Sequence, residues 1–152
     1  MPCIRNMTEA DLDAVLAIEQ VCFPRGWSCT HFQAELASER ATCVVAEQDG
    51  LVAGYLCLTV LLDEAEILNV AVDPARQRGG IGNCLLQYAC DEALRRGGVV
   101  LRLEVRATSS PAIALYQRWG FRQTGLRKGY YEDRIDAVLM DKPLIKEDVD
   151  AV

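Results

Sequence analysis

Residues 64–93 read EAEILNVAVDPARQRGGIGNCLLQYACDEA, and this stretch decides the fold. Ile67, Leu68, Val70, Ala71 and Val72 form a short apolar run rich in β-branched residues, which reads as a buried strand. Asp73-Pro74 stops it, because proline restricts the residue before it and has no N–H to donate. From Ile81 onward, Leu85, Ala89 and Ala93, with Leu86 and Cys90 alongside, recur at helical spacing. Between strand and helix lies Arg76-Gln77-Arg78-Gly79-Gly80-Ile81-Gly82. Its glycines allow a tight turn and a close ligand approach, and the unpaired N–H groups of a helix start favour anions. With two arginines added, the turn is suited to an anion, and a pyrophosphate fits it best.

Working outward, the N-terminal half reads as strand, two helices and a hairpin. Cys3-Ile4-Arg5 is a short first strand. Thr8 and Asp11 resemble a capping box ahead of a helix carried by Leu12, Val15, Leu16 and Glu19 to about Cys22. Phe23-Pro24-Arg25-Gly26-Trp27 breaks that helix, and Ser28 caps a second one containing Phe32, Leu36 and Ala37. Thr42 to Ala46 and Val52 to Leu61 form a hairpin about Gln48-Asp49-Gly50.

Beyond the central helix, Arg96-Gly97-Gly98 supplies a glycine cap, and Val99 to Val105 is another strand. Ser109-Ser110-Pro111 opens a helix over Ala112 to Trp119 that Gly120 ends. Phe121 to Gly125 and Asp136 to Met140 are the last strands, separated by a polar, tyrosine-bearing loop at 127–134. The acidic tail past about residue 144 is expected to fray. The order is that of a mixed α/β protein, with an antiparallel sheet early and parallel pairing around the central helix. A single domain spanning 1–152 is expected, without repeats or linkers.

Composition narrows the function. No apolar run approaches the ~20 residues that span a bilayer, and the N-terminus lacks a signal-peptide pattern. The expectation is a cytoplasmic protein without a membrane role. Seven cysteines without CxxC spacing argue against both a disulfide framework and a zinc ribbon. Cys43, Cys57, Cys84 and Cys90 lie in apolar stretches and should pack as small hydrophobes, whereas Cys22 and Cys29 sit in a loop-like segment. A lone His31 without clustered ligands offers no metal site. Net charge is -6, against direct nucleic-acid binding, yet arginines crowd residues 76–106, a pattern for a small anionic ligand.

The glycine turn is neither a Walker A loop, which needs GxxxxGK[ST], nor a full GxGxxG, since Leu85 holds the third glycine position. It does resemble the acyl-CoA loop Q/R-x-x-G-x-G/A of the GNAT acetyltransferases, here Gln77 to Gly82. Val70-Ala71-Val72-Asp73-Pro74 upstream and Ala114-Leu115-Tyr116 through Gly120-Phe121 downstream match that family's pattern in order and spacing. The chain is similar over nearly its whole length to the RimI-type ribosomal-protein-alanine N-acetyltransferases. Phe23-Pro24…Trp27-Ser28, Leu103-Glu104-Val105-Arg106 and Tyr130-Tyr131…Asp136-Ala137 carry that narrower likeness. Two departures are Ser109, where the family has Asn, and Asn83, where Arg or Ala is common. Ser109 keeps hydrogen-bonding capacity with a shorter reach, which bears on cofactor affinity rather than on reaction type.

The resemblance implies a GNAT fold, a mostly antiparallel sheet with a parallel central pair and helices on both faces. It implies acetyl-CoA as co-substrate, without a metal. The acceptor it implies is a protein N-terminus, that of a small-subunit ribosomal protein. Val70, Ala71 and Val72 would hold the acetyl and pantetheine portion. Arg78, Gly79, Gly80, Ile81, Gly82 and Asn83 would hold the pyrophosphate, and Ser109 would contact the cofactor. Alternation alone puts Glu104 on one strand face with Arg102 and Arg106, as an ionised surface carboxylate. The resemblance makes it the general base. Tyr116 reads equally as a core aromatic, and the resemblance makes it the general acid. Trp27, Tyr130 and Tyr131 are candidates to wall an acceptor groove, and Glu19, Asp63 and Glu64 are taken as solvent-face or turn residues. Lysine or small-molecule amines as acceptors, or a non-catalytic acetyl-CoA-binding module, are the alternatives.

Overall fold

A computed structural model describes residues 2–77 and 79–145. The expectations placed on Arg78 and on the tail from residue 146 therefore lie outside the described residues. The elements run β1 (Cys3–Asn6), α1 (Leu12–Cys22), α2 (Cys29–Ala37), β2 (Ala41–Gln48), β3 (Leu51–Leu61), β4 (Glu64–Val72), α3 (Ile81–Arg95), β5 (Val100–Arg106), α4 (Ser110–Arg118), β6 (Arg122–Arg127) and β7 (Ala137–Pro143). Among the described residues they build a seven-stranded sheet in the order β1-β2-β3-β4-β5-β7-β6. Every neighbouring pair is antiparallel except β4 and β5, which are parallel because α3 carries the chain back between them. No helix among the described residues is long and apolar enough to cross a membrane.

The sheet is covered on both faces. On one side α3 and α4 bury Ile81, Leu85, Leu86, Ala89 and Tyr116 against Leu56, Leu58, Leu101, Leu103 and Val105. On the other, α1 and α2 bury Leu12, Val15, Ile18 and Phe32 against Cys43, Val45, Tyr55 and Cys57. Each such leucine, isoleucine or phenylalanine removed from water contributes about 1.5–3 kcal/mol. β3 lies under helices on both sides, so Ala53 through Leu58 are all buried, whereas β5 alternates.

Most element ends shift by one to three residues from the sequence expectation, and two of the differences have a clear local cause. The Thr8–Asp11 capping box is present, with the Thr8 amide 2.8 Å from Asp11 Oδ2, but it caps a 3-10 turn at Glu9–Asp11 that precedes α1. The strand expected from Phe121 begins at Arg122, because the Phe121 amide closes α4 instead, donating to the Tyr116 carbonyl at 3.0 Å.

The feature that positions the site lies between β4 and β5. Their ladder has three rungs, Glu64↔Val100, Ala65↔Leu101 and Glu66↔Arg102. Beyond these, β4 runs on to Val72 beside β3, and β5 runs on to Arg106 beside β7. The two strands diverge and a gap opens between them. A bulge at Leu68 marks where they part: the β3 partners jump from Leu58↔Ile67 to Cys57↔Asn69.

Candidate active site

The β4 edge of the gap carries peptide groups that β3 leaves unpaired. The Asp73 amide bonds the Ala53 carbonyl at 2.8 Å, so with Val72 opposite Gly54 the ladder alternation is fixed. Ala71 exchanges its peptide bonds with Tyr55, while Val70 and Val72 turn theirs away from β3 and toward β5. Among the three residues expected to hold the acetyl and pantetheine portion, Val70 and Val72 offer amides to the gap. Ala71 instead sends its side chain into the core beneath α1. The Val72 carbonyl accepts from the Cys22 thiol at 3.6 Å.

After β4 the chain turns through Pro74–Arg76, where the Asp73 carboxylate accepts from the Ala75 amide at 3.0 Å. Gly80, at φ 76°, then reverses it into α3, a left-handed conformation that a side chain would strain. The first bond of α3 is Cys84 N–H to the Gly80 carbonyl, 3.1 Å, so the amides of Ile81, Gly82 and Asn83 point out of the helix start without helical acceptors. Free amides at a helix start favour an anion. Gly79 contributes differently, since its amide is engaged by the Arg76 carbonyl at 3.2 Å. The side-chain oxygen of Asn83 is also engaged, accepting from Trp119 Nε1 at 2.9 Å. Ser109 stands at the N-cap of α4 with its amide and carbonyl bonded to Arg106 and Ile113. Its hydroxyl has no partner among the described residues and is open to a cofactor. These residues fit an acyl-CoA.

Tyr116 comes from α4, and the end of that helix fixes its ring. Gly120 donates to the Gln117 carbonyl and Phe121 to the Tyr116 carbonyl, each 3.0 Å, with Gly120 at φ 93°. This glycine-terminated cap brings Phe121 back over the last turn, where its ring meets Tyr116 edge-on at 5.7 Å. The Ala-x-x-Leu-Tyr-x-x-x-Gly-Phe pattern thus has a local physical reason. Tyr116 is 8% exposed, and burial pushes its phenol up to about 12. Its hydroxyl bonds no group among the described residues, yet none of them holds a sealed, unbonded side-chain polar atom, so the hydroxyl reaches open space.

Glu104 lies on the opposite face of β5 from Leu103 and Val105, and therefore across the sheet from Tyr116. Its side chain is 26% exposed. The flanking arginines expected to face it are committed elsewhere: Arg102 pairs with Glu64 at 2.9 Å and Asp141 at 3.3 Å, and Arg106 pairs with Asp133. The cation facing Glu104 is Arg127, 3.5 Å away on β6. Residues two apart along a strand are ~6.5 Å apart, while a long side chain reaches easily across the small Ala137. Glu66, at the last β4–β5 rung, shares this face, and burial together with the charge of Glu104 pushes its carboxyl above the ordinary range.

One loop borders Glu104, and a second is tied to it. Tyr131, from the β6–β7 loop, lies close enough that burial and the Glu104 charge both raise its phenol, and the Arg106 guanidinium sits 4.6 Å over its ring. Tyr130 meets Tyr131 edge-on at 5.2 Å but is half exposed. The α1–α2 loop carries Trp27, stacked on His31 at 3.8 Å, and an Arg25–Glu132 ion pair ties this loop to the β6–β7 loop. Asp63 and Glu64 sit in or beside the β3–β4 turn, as expected. Glu19 does not lie on a solvent face: it is 2% exposed and bonded on every side. Its place in the apolar stripe with Leu12 and Val15 was the available signal. For Asn69, Arg127 and Trp119, nothing in a single strand or helix says which distant group each meets.

The fold agrees with three comparisons. Residues 12–121 match the acetyltransferase (GNAT) family model. The chain is 40% identical over 147 residues to the [ribosomal protein bS18]-alanine N-acetyltransferase of Escherichia coli K12, covering 95% of this chain and 99% of that one. It is 34% identical to the N-alpha-acetyltransferase of Sulfurisphaera tokodaii, covering 93% and 92%. Among solved structures, the ribosomal-protein-S18-alanine N-acetyltransferase from Escherichia coli superposes with a TM-score of 0.86 at 39% identity, over 95% and 94% of the chains. Ard1 from Thermoplasma volcanium superposes with 0.89 at 26%, over 95% and 99%. The chain belongs to the GNAT family of acetyltransferases, enzymes that draw their acyl group from acetyl-CoA.

Proposed function

We propose that this acyltransferase moves an acetyl group from acetyl-CoA to the N-terminal alanine amine of a ribosomal protein, in the cytoplasm and by direct transfer within a single domain. The observation that carries it is the gap between β4 and β5, with free amides along one edge and Glu104 and Tyr116 on opposite faces of the other. Pantetheine lies in the gap, its pyrophosphate on the amides of Ile81 to Asn83, with Ser109 alongside. The Val70 and Val72 amides polarise the thioester carbonyl. Glu104 takes a proton from the acceptor ammonium, directly or through water, and the neutral amine attacks the carbonyl carbon. As the new C–N bond forms and the C–S bond breaks, Tyr116 gives its proton to the departing thiolate, the attacking nitrogen sheds its extra proton to water, and water returns a proton to Tyr116 while Glu104 releases the one it took. A phenol held near 12 stays protonated at neutral pH, as an acid must.

An α-amine, with a pKa of about 7.7–8.0 against about 10.4 for lysine, is the easier acceptor to deprotonate. The test is mass spectrometry of ribosomal proteins after incubation with enzyme and acetyl-CoA. A mass gain of one acetyl on an N-terminal alanine is expected, reduced about 10²–10⁴-fold in kcat by Glu104→Gln or Tyr116→Phe. Acetylation of lysines or small amines alone would move the assignment to those acceptors. Acetyl-CoA binding without turnover of any amine would make the protein a binding module.

A further inference from the structure

The mechanism above leaves the buried carboxylate of Glu19 without a task. Glu19 Oε1 accepts from the Tyr55 hydroxyl of β3 and, at 2.8 Å, from Asn69 Nδ2 of β4; Oε2 accepts from the Trp27 amide at 2.9 Å. These partners belong to three separate elements. Asn69 is the first residue beyond the β4 bulge and directly precedes the gap-facing Val70. Trp27 lies in the loop that Arg25–Glu132 joins to the loop of Tyr131, beside Glu104. Gly26 packs so closely on this carboxylate that a Cβ there would lie 2.6 Å from Glu19 Cγ.

We infer that Glu19 is a positioning residue for acetyl transfer, one anionic group that registers the acceptor-side loop at Trp27 against the donor-side strand at Asn69. The inference rests on the function proposed above. The chemistry requires a carboxylate, since all three partners are donors and only a group whose two oxygens both accept can satisfy them together. No cation is bonded to Glu19 among the described residues, so its charge is spread over three hydrogen bonds, each stronger for having a charged acceptor. A group meant only to fill space would be an apolar residue here, which would leave the Tyr55 hydroxyl and the Trp27 amide unpaired.

Glu19→Gln keeps the shape but turns an NH2 toward one of the donors. The amide oxygen can still serve Tyr55 and Asn69, so the loop at Trp27 is the partner lost. With an alanine-initiated acceptor peptide, KM for the peptide should rise about tenfold or more while the Kd for acetyl-CoA stays within about twofold. Hydrogen exchange at the Trp27 amide should accelerate in parallel, a readout that needs no turnover. Gly26→Ala crowds Glu19 from the loop side without removing a polar group and should give the same split, which keeps the inference testable if Glu19→Gln fails to fold. Unchanged peptide KM in both variants, or peptide KM and acetyl-CoA Kd worsening together, would overturn it. If wild type acetylates no peptide, the proposed function fails instead. Unchanged Trp27 exchange in Glu19→Gln still overturns the inference by itself.

Discussion

Trp119 Nε1 donates to Asn83 Oδ1 across 2.9 Å, joining the last turn of α4 to the first turn of α3. The amides proposed to bind the pyrophosphate therefore depend on the helix that carries Tyr116. Trp119→Phe keeps most of the ring packing and removes the donor. Stability should fall by about 1 kcal/mol, and the acetyl-CoA Kd should rise severalfold by titration calorimetry. An unaltered Kd would mean that the turn holds its shape without α4.

Gly120 sits at φ 93°, and its amide closes the cap that seats Phe121 against Tyr116. Gly120→Ala should cost about 1–2 kcal/mol of left-handed strain. Because the ring of Tyr116 is oriented through this cap, kcat should drop more than KM changes. Steady-state kinetics on the folded variant separates the two, and a pure loss of stability with intact kcat would remove the link.

Alkaline pH should unfold the protein through its buried phenols. Tyr116 is raised to about 12 by burial, and Tyr55 is raised by burial and its bond to Glu19. An unfolded tyrosine ionises near 10. Below pH ~10 both states keep the proton and stability is undiminished; above it the unfolded chain releases protons that the folded chain retains, so stability drains away as pH climbs toward 12. Urea melts at pH 9 and 11 should show this loss, and Tyr116→Phe should soften it. Equal midpoints for wild type at the two pH values would contradict the burial of both rings.

Thiol accessibility checks the packing directly. Cys3 and Cys29 are exposed, whereas Cys43, Cys57 and Cys90 are buried. Cys43 and Cys57 face each other across β2 and β3. A chromogenic disulfide reagent should modify Cys3 and Cys29 rapidly in the native protein and reach the buried thiols only on unfolding. Fast native labelling of Cys43 or Cys57 would place the sheet differently.

The chain order of elements was readable because each has its own period. The alternation at Leu101, Leu103 and Val105 and the helical spacing from Ile81 to Ala93 need no tertiary knowledge. The glycine turn was readable because three glycines beside a helix start permit few structures. The partners of charged side chains were not. Arg102 and Arg106 stand two residues from Glu104 on one strand, yet the group that meets it is Arg127, from a strand across β7. Glu19 misled for a related reason: a carboxylate in a helix is usually solvated, and the three donors that justify its burial come from residues 27, 55 and 69. The parting of β4 from β5 was likewise invisible, being a relationship between two strands rather than a property of either.

The three rungs joining β4 to β5 divide the sheet into two leaves, β1 to β4 and β5, β7 and β6, stitched at one end only. In the proposed reaction, a thioester arm lying in the open end would supply the cross-links that the backbone omits, and so act as a temporary strand. Each catalytic cycle would then fasten and unfasten the two leaves, making the departure of free CoA a mechanical event as well as a chemical one. Amide protection along Val70 to Val72 and Leu103 to Arg106 should rise together on saturation with acetyl-CoA and fall together on its removal, as along the two sides of one seam.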